Sequence, residues 1–260
     1  MCAIAMKQGD PAGAGSEASV LGRMGALLGM FSETCPFIVP ADVEAALCVS
    51  AATAYRYLGD MIEMGLVSRV SGAYAPGPRV LELGYLIRRY APALRRKTAI
   101  LDELAAETGC HVLLSRLYGS HLVNIYHAQG RDLPELNYVT GRRLPRFAGS
   151  QPKVVLAFME RRRARRLYES FADENDRRQV GRTWAACSEF LSAVRRDGHY
   201  ISRNELDSDM TGIAVPVFGE DGRVTGALTL VFLSSASPEP DEASLLAAVR
   251  ERALVLSRHG

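Results

Sequence analysis

ADVEAALCVSAATAYRYLGDMIEMG, residues 41–65, is the stretch whose reading decides the fold of this chain. It reads as two short helices joined by a tight corner. Ala41 to Leu47 is helix-forming, Cys48-Val49-Ser50 breaks it, and the Ser50 hydroxyl is placed to accept an orphan backbone N–H of the next helix. From Ala51 to Met64 the large apolar residues Tyr57, Leu58, Met61 and Met64 recur at helical spacing, which predicts an inward face. The opposite edge carries Ala51, Ala52, Thr53, Tyr55 and Arg56, and Gly65 suits a left-handed C-cap. In helix-turn-helix proteins the first turns of the second helix enter the DNA major groove. Small side chains there permit close approach, while Thr, Tyr and Arg bond phosphates or base edges.

Outward from this stretch, Val20 to Ser32 predicts a helix with its stripe at Leu21, Met24, Leu27, Leu28 and Phe31. Leu66 to Val70 and Ala73 to Ala75 predict two extended arms around the turn dipeptide Ser71-Gly72. A helix, a helix-turn-helix and then a hairpin is the order of a winged helix, with Arg69 on the wing positioned for a phosphate. Pro78 suits the first turn of a connector helix whose apolar Val80, Leu83, Leu86 and Ile87 call for a partner, most simply the same helix of a second subunit. Residues 1–75 hold four basic and seven acidic residues. Because phosphate neutralisation dominates DNA affinity, such a head depends on helix dipoles, hydroxyl donors and more than one copy per oligomer.

The second half has a different texture. Leu94 to Thr108 is an amphipathic helix ended by Gly109, and His111–Leu117 and Leu122–Ala128 form a hairpin around Tyr118-Gly119-Ser120. Helices follow near Pro152–Glu160, over RRRARRLYESF and over Ser188–Asp197. Strands His199–Ser202, Gly212–Phe218 and Val224–Leu233 then lead to a final helix over Glu239–Arg258. The expected class is α+β, a mostly antiparallel sheet flanked by helices.

Composition fits a soluble globular protein: 260 residues, 48% hydrophobic, 23% charged, net charge +2. No apolar run approaches the roughly 20 residues of a membrane span, and MCAIAMKQGDPAGAGSEAS reads as a tail rather than a signal peptide. The five scattered cysteines, without a CxxC, point to a reducing cytoplasm and away from a disulfide framework or structural zinc. Arg161-Arg162-Arg163-Arg165-Arg166 reads as a solvated helix face paired with acids such as Glu160 and Glu169. Cys110 and His111 point to opposite faces of a strand and cannot act as nucleophile and base. His121 and His127, six apart on an unbulged strand, lie about 20 Å apart, too far to share a metal. No GxSxG or HExxH is present. No catalytic residue, metal ligand or cofactor is assigned, and the protein is not expected to be an enzyme.

Three places give the chain a family likeness over nearly its whole length: Ser50-Ala51-Ala52-Thr53-Ala54-Tyr55-Arg56-Tyr57-Leu58; Gly65-Leu66-Val67 with Tyr74 to Leu83; and Asp197-Gly198, Glu205 and Gly212-Ile213-Ala214-Val215-Pro216-Val217-Phe218. In these it resembles the IclR family of bacterial transcriptional regulators. The resemblance implies a tail over 1–17, a winged helix-turn-helix over 18–77, a linker helix over 78–93 and a GAF-like effector-binding domain over 94–260. It implies homodimers or dimers of dimers that bind double-stranded operator DNA and respond to a small-molecule effector. DNA contacts then fall to Ser50, Ala51, Ala52, Thr53, Tyr55, Arg56 and Arg69. Effector contacts fall to Ser150, Gln151, Met210, Gly212, Thr229 and Val231. Where members often carry His and Gly-Lys, this chain has Phe147 and Pro152-Lys153, and Phe147, Met210 and Val231 would favour an apolar or aromatic carboxylate. A buried Ser150 or Thr229 hydroxyl would need a partner that a ligand can supply. The alternative is a metabolite-binding protein or enzyme whose winged helix makes only protein contacts.

Overall fold

The computed structural model describes residues 19–32, 34–90, 92–236 and 240–258. The tail expected over 1–17 lies outside the described residues. The chain divides into two compact units between Ala91 and Pro92.

In the first unit, helices α1 (Val20–Gly29), α2 (Pro40–Leu47) and α3 (Ala51–Glu63) precede an antiparallel hairpin, β1 (Val67–Val70) and β2 (Ala73–Pro76). Asp42 accepts the Val39 N–H at 2.9 Å and so caps α2, which ends at left-handed Cys48. Gly65, at φ +70°, ends the turn after α3, its N–H donating to the Ile62 carbonyl and that of Leu66 to Met61. Ser71 and Gly72 both have positive φ and close the hairpin tightly. Leu27, Ile38, Val43, Ala54, Leu58 and Met61 form the core. Two expected core positions are corrected: Leu21 is 80% and Met64 44% exposed, because the core stops at the inner edge of each stripe. Helix α4 (Pro78–Tyr90) follows, with Val80, Leu81, Leu83, Tyr85, Leu86 and Ile87 all exposed.

The second unit is α+β. Its five-stranded antiparallel sheet has the order β4 (His121–Ala128), β3 (His111–Tyr118), β7 (Val224–Leu233), β6 (Met210–Phe218), β5 (Tyr200–Arg203). Helices α5 (Pro92–Thr108) and α10 (Glu242–Arg258) pack on one face, where Val112, Leu114, Ile213, Val215, Leu228 and Leu230 point. On the other face lies α6 (Ser150–Phe158), followed by α7 (Arg161–Phe171), α8 (Glu174–Val180) and α9 (Trp184–Asp197). Helix α8 has no counterpart in the sequence reading, since only Val180 of its chain is apolar. Among the described residues no helix is long and apolar enough to cross a membrane, and no group of three or more His, Cys, Asp or Glu is placed to hold a metal ion. Among the described residues Cys48, Cys110 and Cys187 are free thiols. The arginine face of α7 is solvated, with Arg165 paired to Glu169 at 2.7 Å.

Candidate functional site

The leading edge of α3 faces solvent. Ala51, Ala52, Tyr55 and Arg56 are exposed, as are Ser50 before it and Arg69 on β1, while Thr53 is half-buried. The Ser50 hydroxyl accepts the Thr53 N–H at 3.4 Å and lies 3.1 Å from the Thr53 hydroxyl. The inward side is held by Tyr57, whose hydroxyl accepts from Arg23 at 2.8 Å and whose ring carries the Arg56 guanidinium at 5.5 Å. Arg56 thus leaves the helix along a rigid aromatic support rather than as a free side chain. Ser50→Ala is expected to cost the first unit about 1 kcal/mol through the lost cap; thermal unfolding followed at Tyr57 checks it, and an unchanged midpoint would rule the cap out.

In the second unit a hollow opens between the sheet and the start of α6, with about 440 Å³ of atom-free space, its open mouth included. Strand alternation supplies its floor: Leu113 on β3, Thr229 and Val231 on β7, Met210 and Gly212 on β6, and Ser202 on β5. Register puts Val231 beside Gly212 and Gly212 beside Ser202 in one row. A Cβ on Gly212 would lie 2.9 Å from the Ser150 Oγ and 3.1 Å from the Ser202 Oγ, so glycine lets two hydroxyls approach the sheet. Leu136, Tyr138, Leu144 and Leu206 complete the apolar wall. The Thr229 Oγ1 is buried without a hydrogen-bond partner, a cost of about 1–3 kcal/mol unless something supplies one.

The start of α6 is fixed from beneath. Glu205 Oε2 accepts the Gly149 N–H at 2.7 Å and the Lys153 ammonium at 2.7 Å, while Glu205 Oε1 accepts from Tyr200 at 3.1 Å. Lys153 is almost fully enclosed and sits 4.8 Å from the Tyr200 ring centroid. Burial lowers its pKa and the Glu205 carboxylate opposes that shift; burial likewise raises the Tyr200 phenol. The Gln151 amide donates to Asn124 at 3.0 Å, and Asn124 donates to the Tyr138 carbonyl at 2.6 Å. Gly149 offers α6 no side-chain cap, so the first N–H groups of the helix stay available beside the hollow.

Six of the seven residues expected at an effector site therefore line one hollow: Ser150, Gln151, Met210, Gly212, Thr229 and Val231. Phe147 does not. It is buried in the neighbouring core with its ring edge-on to Tyr168, centroids 6.4 Å apart, because the loop before α6 turns it behind the helix. The sequence reading missed Asn124, Glu205 as the Lys153 partner, and the segment carrying Leu136 and Tyr138; only the paired appearance of a buried-helix lysine and a later Glu hinted at any of them.

The C-terminal model of the bacterial transcriptional regulator IclR matches residues 91–258. The chain belongs to the IclR family. Among its relatives, the HTH-type transcriptional regulator KipR of Bacillus subtilis is 24% identical over 238 residues, covering 90% of this chain and 93% of that protein. The regulator XynR of Escherichia coli is 25% identical over 234 residues, covering 89% and 93%. An IclR transcriptional regulator of Silicibacter sp. TM1040 superposes with TM-score 0.79 at 27% identity over 92% of this chain and 95% of that one. An IclR homologue of Microbacterium hydrocarbonoxydans, solved with 4-hydroxybenzoate, has TM-score 0.67 at 21% identity over 93% and 98%.

Proposed function

We propose that this IclR-family chain is a sequence-specific DNA-binding regulator whose winged helix-turn-helix presents the edge of α3 to operator DNA, and whose hollow binds a small carboxylate with an apolar or aromatic body that controls that binding. The observation that carries the effector half is the partnerless Thr229 hydroxyl in a hollow lined by apolar side chains, hydroxyls and the Glu205 and Asp207 carboxylates, beside the start of α6. Leu113, Leu136, Leu206, Met210 and Val231 suit the body of such a ligand, and the helix N-terminus with the Ser150, Ser202 and Thr229 hydroxyls suits its carboxylate. The exposed apolar side of α4 is the surface an identical helix of a second copy would cover, which brings two reading heads onto one palindromic site. Control then requires the ligand to bind one arrangement of the oligomer better than another.

The 4-hydroxybenzoate bound by the Microbacterium relative gives the first compound to try. It is expected to raise the melting temperature of the second unit by roughly 5 °C at about 100 times Kd, and Gly212→Val, whose side chain would crowd Ser150 and Ser202, is expected to abolish the shift. A panel of aromatic and short-chain carboxylates extends the screen. Stabilisation by small polar acids alone would remove the apolar-ligand reading; an equal shift in Gly212→Val would move the ligand elsewhere.

A further inference from the structure

His111 opens β3 on the same face as the hollow, paired across the sheet with Val231, and is completely buried. Its Nε2 lies 3.0 Å from the Pro134 carbonyl oxygen, which can only accept. Its Nδ1 lies 3.1 Å from the Gly130 backbone nitrogen, whose N–H can only donate. These two neighbours leave one tautomer: hydrogen on Nε2, lone pair on Nδ1. His127, on β4, brings its Nε2 to 3.0 Å from the same Nδ1 and must donate as well. Gly130 is required there, since a Cβ would lie 2.6 Å from both the Cys110 carbonyl carbon and the His111 nitrogen. The segment so clamped continues into Leu136 and Tyr138, two walls of the hollow. Its far end is held separately, by Asp207 accepting from the Asn137 backbone at 3.2 Å and by Asn124 on the Tyr138 carbonyl.

We infer that His111 is a positioning residue for the hollow: its neutral Nε2–H form clamps residues 130–134 and so sets the Leu136–Tyr138 wall, and a second proton on Nδ1 turns the Gly130 and His127 contacts repulsive and releases that wall. This rests on the hollow being the effector site, and makes ligand affinity fall in acid. The titratable groups acting on His111 are His127 from β4 and Asp207 from the connection between β5 and β6; Arg131, Asp132 and Glu135 of the clamped segment are exposed to solvent. Burial holds both imidazoles below the ordinary histidine value of 6.5, against the Pro134 bond and the Asp207 charge at His111. The unfolded chain thus takes up protons first. The stability tied to the neutral pair is full above 6.5 and is lost as pH falls from there towards the folded value.

Amide hydrogen exchange on the unliganded full chain tests this, with intrinsic rates corrected for pH, alongside the ring-nitrogen shifts of His111. As pH falls from 7.5 to 5.0 the protection of Gly130 and of residues 131–139 should decline below 6.5, by up to about tenfold per pH unit because the opened segment binds one proton first, while the sheet amides of β6 stay protected. His111→Asn, which does not titrate in this range, should show a flat profile; should that variant fail to fold, the wild-type profile decides alone, since the decline must begin below 6.5 and end where the ring shifts report His111 protonation. Protection that ignores pH, that falls equally in His111→Asn, or that survives His111 protonation would overturn the inference. Because no ligand is needed, a missing thermal shift with carboxylates would remove the effector reading and leave this result standing.

Discussion

Lys153→Met is expected to destabilise the second unit by roughly 3–5 kcal/mol, the usual cost of removing one partner from a buried ion pair. Lys153 is enclosed and its ammonium lies 2.7 Å from Glu205 Oε2, so the substitution strands a carboxylate that already anchors the Gly149 N–H. In a unit of this size that corresponds to a fall in melting temperature of roughly 10 °C. Removing both charges, as Lys153→Met with Glu205→Gln, is expected to recover much of the loss, since the amide can still bond Tyr200 and Gly149. Differential scanning calorimetry of the two variants checks the claim. A double variant as unstable as the single one would show that the pair contributes through packing and not through charge.

The second large effect is on DNA. Arg56→Ala is expected to weaken operator binding by about 1–3 kcal/mol, roughly 5- to 150-fold, if its guanidinium reads a base edge. Loss of a phosphate contact alone would instead lower affinity uniformly across sequences and reduce the salt slope by about one ion. Arg56 is exposed beside the Tyr57 ring, which Arg23 holds from the inner side, so the substitution removes an exposed guanidinium without opening the core. Anisotropy titrations at two salt concentrations separate the two outcomes. Unchanged affinity in Arg56→Ala would place the DNA contact off α3.

Local signals account for what was legible in the chain. Ser50 as a cap, Gly65 as a terminator and Ser71-Gly72 as a turn each act within a few residues, and α2, α3 and the hairpin follow from them. The hollow was legible where a motif placed residues on alternate positions of β6 and β7. Periodicity could not show where a stripe leaves the core, hence Leu21 and Met64, nor find α8, whose ENDRRQV is polar up to its buried last residue, Val180. Phe147 sits in an irregular loop, where no period tells inside from hollow. Only the unbulged strand assumed for His121 and His127 is corrected: β4 carries a register shift opposite Leu114/Ser115, and the contact of His127 with His111 lies across to the neighbouring strand, where reading along one strand does not reach. Such pairings across 16 residues of sequence, like that of Lys153 with Glu205 across 52, are set by the sheet and not by local propensity.

The central claim is that the α3 edge reads DNA. Selection of the 260-residue chain against a pool of random duplexes tests it directly and requires no known operator. The expected result is enrichment of one motif built of two related half-sites, bound at least about 10³ times more tightly than unselected DNA and not enriched by Arg56→Ala. A pool that remains random, or the same motif enriched equally by the variant, would contradict it.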